Sequence, residues 1–351
     1  MPATSPETMI DLLDLSLDEL ETELTVLGER AFRAKQVYAW VYQKAASDFE
    51  AMSDLPKALR ERLSSGFSFK ALEAAGVAKD KEAEKAAFRL GDGSVVESVR
   101  IQAKEGDTYC LSTQVGCDLS CRFCASGQMA FQRNLTAGEI VGQVLTLQRQ
   151  SGQRPAHLVY MGMGEPFLNY TATMKSLSIL QDAQGYGFGA RRITVSTAGV
   201  VPEIYRFARE AGQVNLAVSL HGTTDTKRQE IMPIARVYDL RQLLDAAWDY
   251  TQTTGRRITF EYILIRGVND SHHDAIRLVE MLKGKLAHLN VISFNPIPGT
   301  RYARPKRGEF ERFVGFLKDN GLPVTPRHSA GRSIAAACGQ LAGKLKEERS
   351  R

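Results

Sequence analysis

Cys117-Asp118-Leu119-Ser120-Cys121-Arg122-Phe123-Cys124 follows directly on the apolar, strand-like run 109–115. Three thiols within eight residues can meet at one metal centre as thiolates. Iron–sulfur clusters are held by thiolates and usually take four. Three from this loop would leave one iron of a four-iron cluster open to a small molecule. Two other readings stay open on the residues alone. One is a zinc site completed by Cys110 or a histidine, although the three-then-two spacing departs from the paired two-residue spacings usual for zinc. The other is three cysteines packed as small apolar residues.

Working outward, apolar runs recur at 157–163, 192–198, 214–221, 257–265 and 288–294. Amphipathic stretches lie between them, such as 136–149 behind Thr136 and 271–285 behind Asp270. Six β-then-α units in series require a parallel sheet, either doubly wound or curled into a barrel. Polar, Gly and Pro residues gather just after the strands, where a β/α barrel places its chemistry. No Gly-x-Gly-x-x-Gly follows the first strand. The expected fold is therefore α/β, a partial (βα)6 barrel over 103–330. Residues 8–72 read as helical, with Ser16 and Glu19 as a capping box. Phe32, Val37, Trp40 and Val41 mark a second helix, and Asp54-Leu55-Pro56 opens a third. The interleaved Arg33, Lys35, Tyr38, Trp40, Tyr42 and Lys44 could touch RNA, but the core of a small helical domain is the favoured reading, above all for Trp40. Residues 86–103 alternate with period two around Gly91-Asp92-Gly93, a hairpin signal. The expected units are a helical accessory domain (1–72), a β-hairpin extension (73–102), the barrel (103–330) and a C-terminal tail (331–351).

The composition bounds the function. A chain of 351 residues, 43% apolar and 24% charged, is neither disordered nor a disulfide-stapled scaffold. Five cysteines, an odd number, argue against a fully paired secreted framework. The net charge of +5 hides its layout. Residues 1–30 carry eight acids against Arg30 alone, whereas 301–351 carry twelve Lys and Arg against five Asp and Glu. A basic C-terminal end suits a nucleic-acid or phosphate surface. A solvated helix face in Lys344-Leu345-Lys346-Glu347-Glu348-Arg349 explains part of it equally well. No segment approaches the roughly 18 apolar residues of a membrane span. The acidic start lacks a signal-peptide pattern, so the expected compartment is the cytoplasm, with thiols reduced and no membrane partner.

The cysteine loop after strand one resembles that of the radical S-adenosylmethionine enzymes. Further motifs narrow the resemblance: Phe32-Arg33-Ala34-Lys35-Gln36-Val37, Arg133-Asn134-Leu135, Met161-Gly162-Met163-Gly164-Glu165-Pro166, Ser219-Leu220-His221, Asn295-Pro296 and Ala337-Cys338-Gly339-Gln340-Leu341. Together they are similar to the RNA adenine-C2 methyltransferases of that superfamily, over about residues 10–343. The resemblance implies a 4Fe–4S cluster on Cys117, Cys121 and Cys124, whose open iron chelates S-adenosylmethionine and cleaves it to a 5′-deoxyadenosyl radical. It places Gly164, Glu165, Ser196, Ser219, Leu220, His221 and Asn295 around S-adenosylmethionine. Gly162 and Gly164 would let a ligand approach the backbone, and Glu165 would accept from the ligand's ammonium. On bare sequence a tight turn stopped by Pro166 explains these residues as well, and a lone His221 is more often a structural histidine.

The resemblance also gives the two remaining cysteines a shared task. C2 of adenine is electron-poor and cannot attack a sulfonium methyl, whereas a thiolate can. Cys338 is implied to carry the methyl group as S-methylcysteine, and Cys110 to form a transient disulfide with Cys338 that releases the RNA. Two molecules of S-adenosylmethionine are used per turnover. Glu97 falls at the family's proton acceptor, against the plain reading of a solvated strand carboxylate. Implied partners are 23S rRNA and tRNA, a flavodoxin-like electron donor and a thioredoxin-like reductant, with the enzyme a monomer. Arg301, Arg304, Lys306, Arg307 and Arg327 are expected to supply phosphate contacts. Two departures stand out: Ser333-Ile334-Ala335 where the family usually has Asp-Ile-Asp, and Ala130 where it commonly has Gly. The competing readings are the related C8-specific 23S rRNA methyltransferase that confers antibiotic resistance, and a non-catalytic zinc-bearing RNA-binding module.

Overall fold

The structure, a computed structural model, describes residues 9–46, 48–69, 72–327 and 329–343. The terminal run 344–349, read above as a solvated helix face, lies outside the described residues.

The N-terminal part folds as the sequence patterns direct. Helix α1 (Leu17–Val26) starts at the Ser16–Glu19 capping box, and α2 (Phe32–Tyr42) and α3 (Lys57–Gly66) follow. Pro56 is the N-cap of α3 rather than a residue of its first turn. A short parallel pair, β1 (Ile10–Asp11) with β2 (Phe67–Ser68), closes this unit. Tyr38 and Tyr42 are buried in its core. Trp40 is half-buried against it, its indole N–H donating to Asp54 (2.5 Å). The core reading of these aromatics therefore holds.

One ten-stranded sheet organises the rest. Three antiparallel strands, β3 (Glu73–Lys79), β4 (Ala83–Arg89) and β5 (Val95–Ile101), form its edge. The hairpin expected around Gly91 is the β4–β5 turn, but a third strand, β3, joins it. The extension is also not separate, because β5 pairs with β6 (Thr108–Cys110), the first barrel strand. That strand stops earlier than expected. Gln114–Val115 (β7) pairs instead with Arg133–Asn134 (β8), on the far side of the cysteine loop.

Parallel strands then add in chain order: β9 (His157–Tyr160), β10 (Ile193–Thr197), β11 (Asn215–Ser219), β12 (Ile258–Leu264), β13 (Ala287–Ser293) and β14 (Val324–Arg327). An order that never reverses is that of an open barrel, not a doubly wound sheet. The sequence yields six parallel strands and misses the seventh, β14. Val324 and Thr325 are half-exposed and Pro326 interrupts the run, so no apolar pattern marks it.

The crossovers are α4 (Ala137–Ser151), α5 (Tyr170–Gln181), α6 (Val201–Glu210), α7 (Asp225–Ile231) with α8 (Leu240–Thr254), α9 (His272–Leu282) and α10 (Arg307–Asp319). Helix α4 starts behind Thr136 as expected, and Thr136 forms a capping box with Glu139. The cap of α9 is Ser271, one residue beyond the expected Asp270, which instead accepts from Gly267 N–H. These crossovers leave the C-terminal ends of the parallel strands free to carry the site.

Candidate active site

A cavity of about 150 Å³ opens at those strand ends. Cys117, Cys121 and Cys124 line it with Gly162, Gly164, Glu165, Ser196, Ser219, His221 and Cys338. Residues from five strand ends, the cysteine loop and the C-terminal segment thus meet in one place.

The cysteine loop is shaped by its backbone. Gly116 has φ +78°, and a Cβ there would lie 2.3 Å from the Ala130 carbonyl. Ala130 itself is exposed, so its methyl replaces the family's glycine without a clash. The loop is pinned by Arg122 N–H to the Ile231 carbonyl (2.9 Å) and by Ala125 N–H to the Gly339 carbonyl (2.7 Å). The Ser126 hydroxyl donates to the Leu341 carbonyl (2.6 Å). Burial raises all three thiols, Cys117 to about 12. Among the described residues no three His, Cys, Asp or Glu side chains gather as a site for a single metal ion. Three thiols on one cavity wall fit a cluster, in which each thiolate binds its own iron.

The glycines after β9 do something other than the sequence suggests. A Cβ on Gly162 would lie 2.6 Å from Ser112 Oγ, and one on Gly164 would lie 2.5 Å from Gln114 Cβ. Their first service is to let this turn pack on residues 111–114, although both also face the cavity. Glu165 is likewise tied to the protein, accepting from Phe167 N–H (3.1 Å) and Ala198 N–H (2.7 Å). Burial pushes its carboxyl up to about 7. It joins the β9 turn to the β10 turn and still lines the cavity.

His221 is buried, with φ +51°, and its ring stands edge-on to Phe123 at 4.8 Å. Its Nδ1 accepts from Ile263 N–H (3.1 Å), and burial lowers its pKa to about 3. A neutral folded-state histidine contributes stability above its unfolded pKa, about 6.5, that is lost as pH falls toward the folded value. Acidification from pH 7 to 5 is expected to cost about 2 kcal/mol at this site. Urea unfolding of the His221→Gln variant, compared with wild type at both pH values, should show a correspondingly shallower loss. Equal losses in the two proteins would refute a neutral His221.

Two expected ligand contacts do not line the cavity. Leu220 is fully buried, and its carbonyl accepts from Arg228 Nε (3.0 Å). Asn295 donates to the Cys338 carbonyl (3.2 Å) and accepts from Arg304 Nη2 (2.9 Å), so it holds the C-terminal segment. The basic tail is also partly occupied. Arg301 pairs with Glu230, Arg307 with Glu311, and Arg304 also bonds the Phe294 carbonyl.

Cys110 and Cys338, 228 positions apart, come within electrostatic reach of each other. Cys110 is buried at the end of β6, and burial, then Cys338, drives its thiol up. Cys338 is exposed through the cavity but deep in the protein. Burial and the Glu261 carboxylate raise it to about 11, partly offset by Arg327. Sequence reasoning missed Glu261, whose signal was a carboxylate within the apolar run 257–265. Both thiols are free. Glu97 does not line the cavity and is not solvated. It is 1% exposed, paired with Lys85 (2.8 Å), and accepts from the backbone N–H of Ala342 (2.7 Å) and Gly343 (3.2 Å).

An open parallel barrel with a three-cysteine loop after its first strand is the architecture of a radical S-adenosylmethionine enzyme. Residues 111–279 match the radical SAM superfamily, and residues 10–68 match the ribosomal RNA large subunit methyltransferase N-terminal domain. A probable dual-specificity RNA methyltransferase RlmN of Symbiobacterium thermophilum is 44% identical over 339 residues, 95% of this chain and 91% of that protein. The relative of the same name in Geobacillus kaustophilus is 44% identical over 97% of this chain and 94% of its own length. The crystal structure of a radical SAM methyltransferase from Sphaerobacter thermophilus superposes with a TM-score of 0.92 at 45% identity, covering 95% of this chain and all of that one. The chain belongs to the RlmN family of RNA methyltransferases. It is an S-adenosylmethionine-dependent enzyme with a 4Fe–4S cluster, and the zinc-module reading is set aside.

Proposed function

We propose that this enzyme methylates C2 of an adenosine in the peptidyl-transferase centre of 23S rRNA and of the adenosine 3′ of the tRNA anticodon. The observation that carries the reading is that Cys338 lines one cavity with the three-cysteine loop while Cys110, at the end of β6, lies within electrostatic reach of it. Cys117, Cys121 and Cys124 hold the cluster, and Gly164, Glu165, Ser196, Ser219 and His221 face S-adenosylmethionine. Leu220 and Asn295 support that pocket through the backbone and the Cys338 segment. When bound, the cluster and S-adenosylmethionine supply one-electron cleavage to a 5′-deoxyadenosyl radical.

The protein's own groups do the rest. Cys338 sulfur accepts a methyl group from one S-adenosylmethionine, would lose one hydrogen of that methyl to the radical the second supplies, and so becomes the carbon carrier that bonds to C2. Cys110 sulfur then attacks Cys338 sulfur, and the carbon–sulfur bond to the RNA breaks as the disulfide forms. A thioredoxin-like reductant reopens that disulfide, and a flavodoxin-like donor supplies the electron. Glu97, bonded to the backbone just after Cys338, is the carboxylate assigned to take the C2 proton. The target base is unstacked to reach the cavity, which single-stranded loops permit at least cost. No helix among the described residues is long and apolar enough to cross a membrane, and the reading places a monomer in the cytoplasm.

Nucleoside mass spectrometry of rRNA and tRNA from a deletion strain tests this. 2-Methyladenosine should disappear from both RNAs. Loss of 8-methyladenosine instead would transfer the enzyme to the C8 reaction, and loss from one RNA alone would remove the other substrate.

A further inference from the structure

The segment carrying Cys338 has little regular structure of its own. It contains one turn of 3-10 helix, at Arg332–Ile334, between residues of left-handed backbone: Gly331 (φ +73°), Ala335 (φ +53°) and Gly339 (φ +79°). Ala335 is the costly one. It has a Cβ but lacks the side-chain oxygen that lets Asp or Asn adopt this conformation. Such a residue persists only where its surroundings hold it.

What holds it comes from the three-stranded extension. Lys85 on β4 donates to the Ala335 carbonyl (3.2 Å) and pairs with Glu97 on β5 (2.8 Å). The other oxygen of Glu97 accepts from Ala342 and Gly343 N–H. One ion pair therefore grips the chain three residues before Cys338 and again four and five residues after it. The Lys85 side chain is only 14% exposed and that of Glu97 1%, so solvent screens the pair weakly. A third tie runs from the β3–β4 turn, where the Ser333 hydroxyl donates to Asp80 Oδ2 (2.5 Å). An aspartate at 333 would instead face the Asp80 carboxylate, so serine there suits this partner. The barrel side holds backbone carbonyls of the segment, Cys338 through Asn295, Gly339 through Ala125 and Leu341 through Ser126, and accepts from the Gln340 side chain at the Pro296 carbonyl (3.1 Å). The Cys338 side chain itself is left free at the cavity.

We propose that Lys85 is a positioning residue for the methyl-carrying thiol: by joining the Ala335 carbonyl to Glu97, it fixes where Cys338 meets S-adenosylmethionine and Cys110. The inference rests on Cys338 being the carrier. It assigns the β extension a part in the chemistry, Lys85 acting through the Cys338 segment and through Glu97, the proposed proton acceptor.

The test uses the full-length, cluster-loaded enzyme under anaerobic conditions, as wild type, Lys85→Met and Lys85→Arg. Methylation of Cys338 by S-adenosylmethionine is followed by mass spectrometry of its peptide. In parallel, alkylation of Cys338 by iodoacetamide is timed on the unmethylated protein. K85M should methylate Cys338 about tenfold more slowly, a misplacement effect, and alkylate it several-fold faster because the segment is loosened. K85R should restore both toward wild type. Cluster absorbance and RNA-independent formation of 5′-deoxyadenosine should be unchanged in all three, which a general loss of structure would not allow. Should K85M fail to load its cluster, Lys85→Gln replaces it, keeping a donor for Ala335 without the charge. Wild-type methylation in the neutral variant, or no rescue by arginine, overturns the proposal. If Cys338 of the wild type never gains a methyl group, the carrier reading fails, while the alkylation comparison still reads the tether.

Discussion

Replacing Cys338 with Ala is expected to lower RNA methylation at least about a thousandfold, the scale on which an enzyme loses its covalent nucleophile. No other cysteine can substitute. Cys117, Cys121 and Cys124 lie in the cluster loop, and Cys110 is buried at the end of β6. The partner experiment separates two roles that a single activity loss would merge. Cys110→Ala removes the attacking sulfur while Cys338 can still take its methyl group and bond to the base, so RNA should remain covalently attached to Cys338. Denaturing gels and peptide mass spectrometry should therefore show an RNA adduct in C110A and none in C338A. Methylated RNA released by C338A at anything near the wild-type rate would end the carrier assignment.

Gly164→Ala is expected to be a severely damaging one-methyl change in the cavity wall. Gly164 has φ +97°, which a side chain rarely adopts, and the added Cβ would lie 2.5 Å from Gln114 Cβ and 2.7 Å from Gln114 N. Backbone strain and overpacking each cost about 1–3 kcal/mol. A loss of about 3 kcal/mol or more is expected in urea unfolding, read against wild type. The shift also disturbs Gln114, whose side chain accepts from Glu165 N–H (2.9 Å), so S-adenosylmethionine affinity should fall as well. Gly189→Ala is the control. That glycine has ordinary φ and no atom within 4 Å of the new Cβ, so its change should stay within about 0.5 kcal/mol. Equal behaviour of the two variants would show that the close approach at Gly164 is not limiting.

The two experiments probe different kinds of information. The cysteine spacing, the six alternating units and the caps of α1 and α4 are local patterns, and local patterns survive in one dimension. The glycines at 162 and 164 show the limit. Their presence after a strand is plain in the sequence, but the atoms that exclude a Cβ belong to Ser112 and Gln114 about fifty residues earlier. Glu97 shows it again. A carboxylate in an alternating strand reads as solvated, yet Lys85 and the C-terminal backbone enclose it. Leu220 and Asn295 were placed by motif at the ligand, but their contacts are with Arg228 and the Cys338 segment. The basic residues at 301, 304 and 307 read as free charge until their partners Glu230, Asn295 and Glu311 are seen.

The cysteine loop, the parallel βα order and the two cysteines outside that loop are legible along the chain, because each depends on spacing or period. Folding alone brings those two cysteines within electrostatic reach of each other and sets the β extension against the segment bearing Cys338. The physical reason is that contacts between residues more than two hundred positions apart leave no periodic trace. They arise when β5 pairs with β6 and the chain after β14 returns across the barrel mouth, bringing Cys338 back to Cys110.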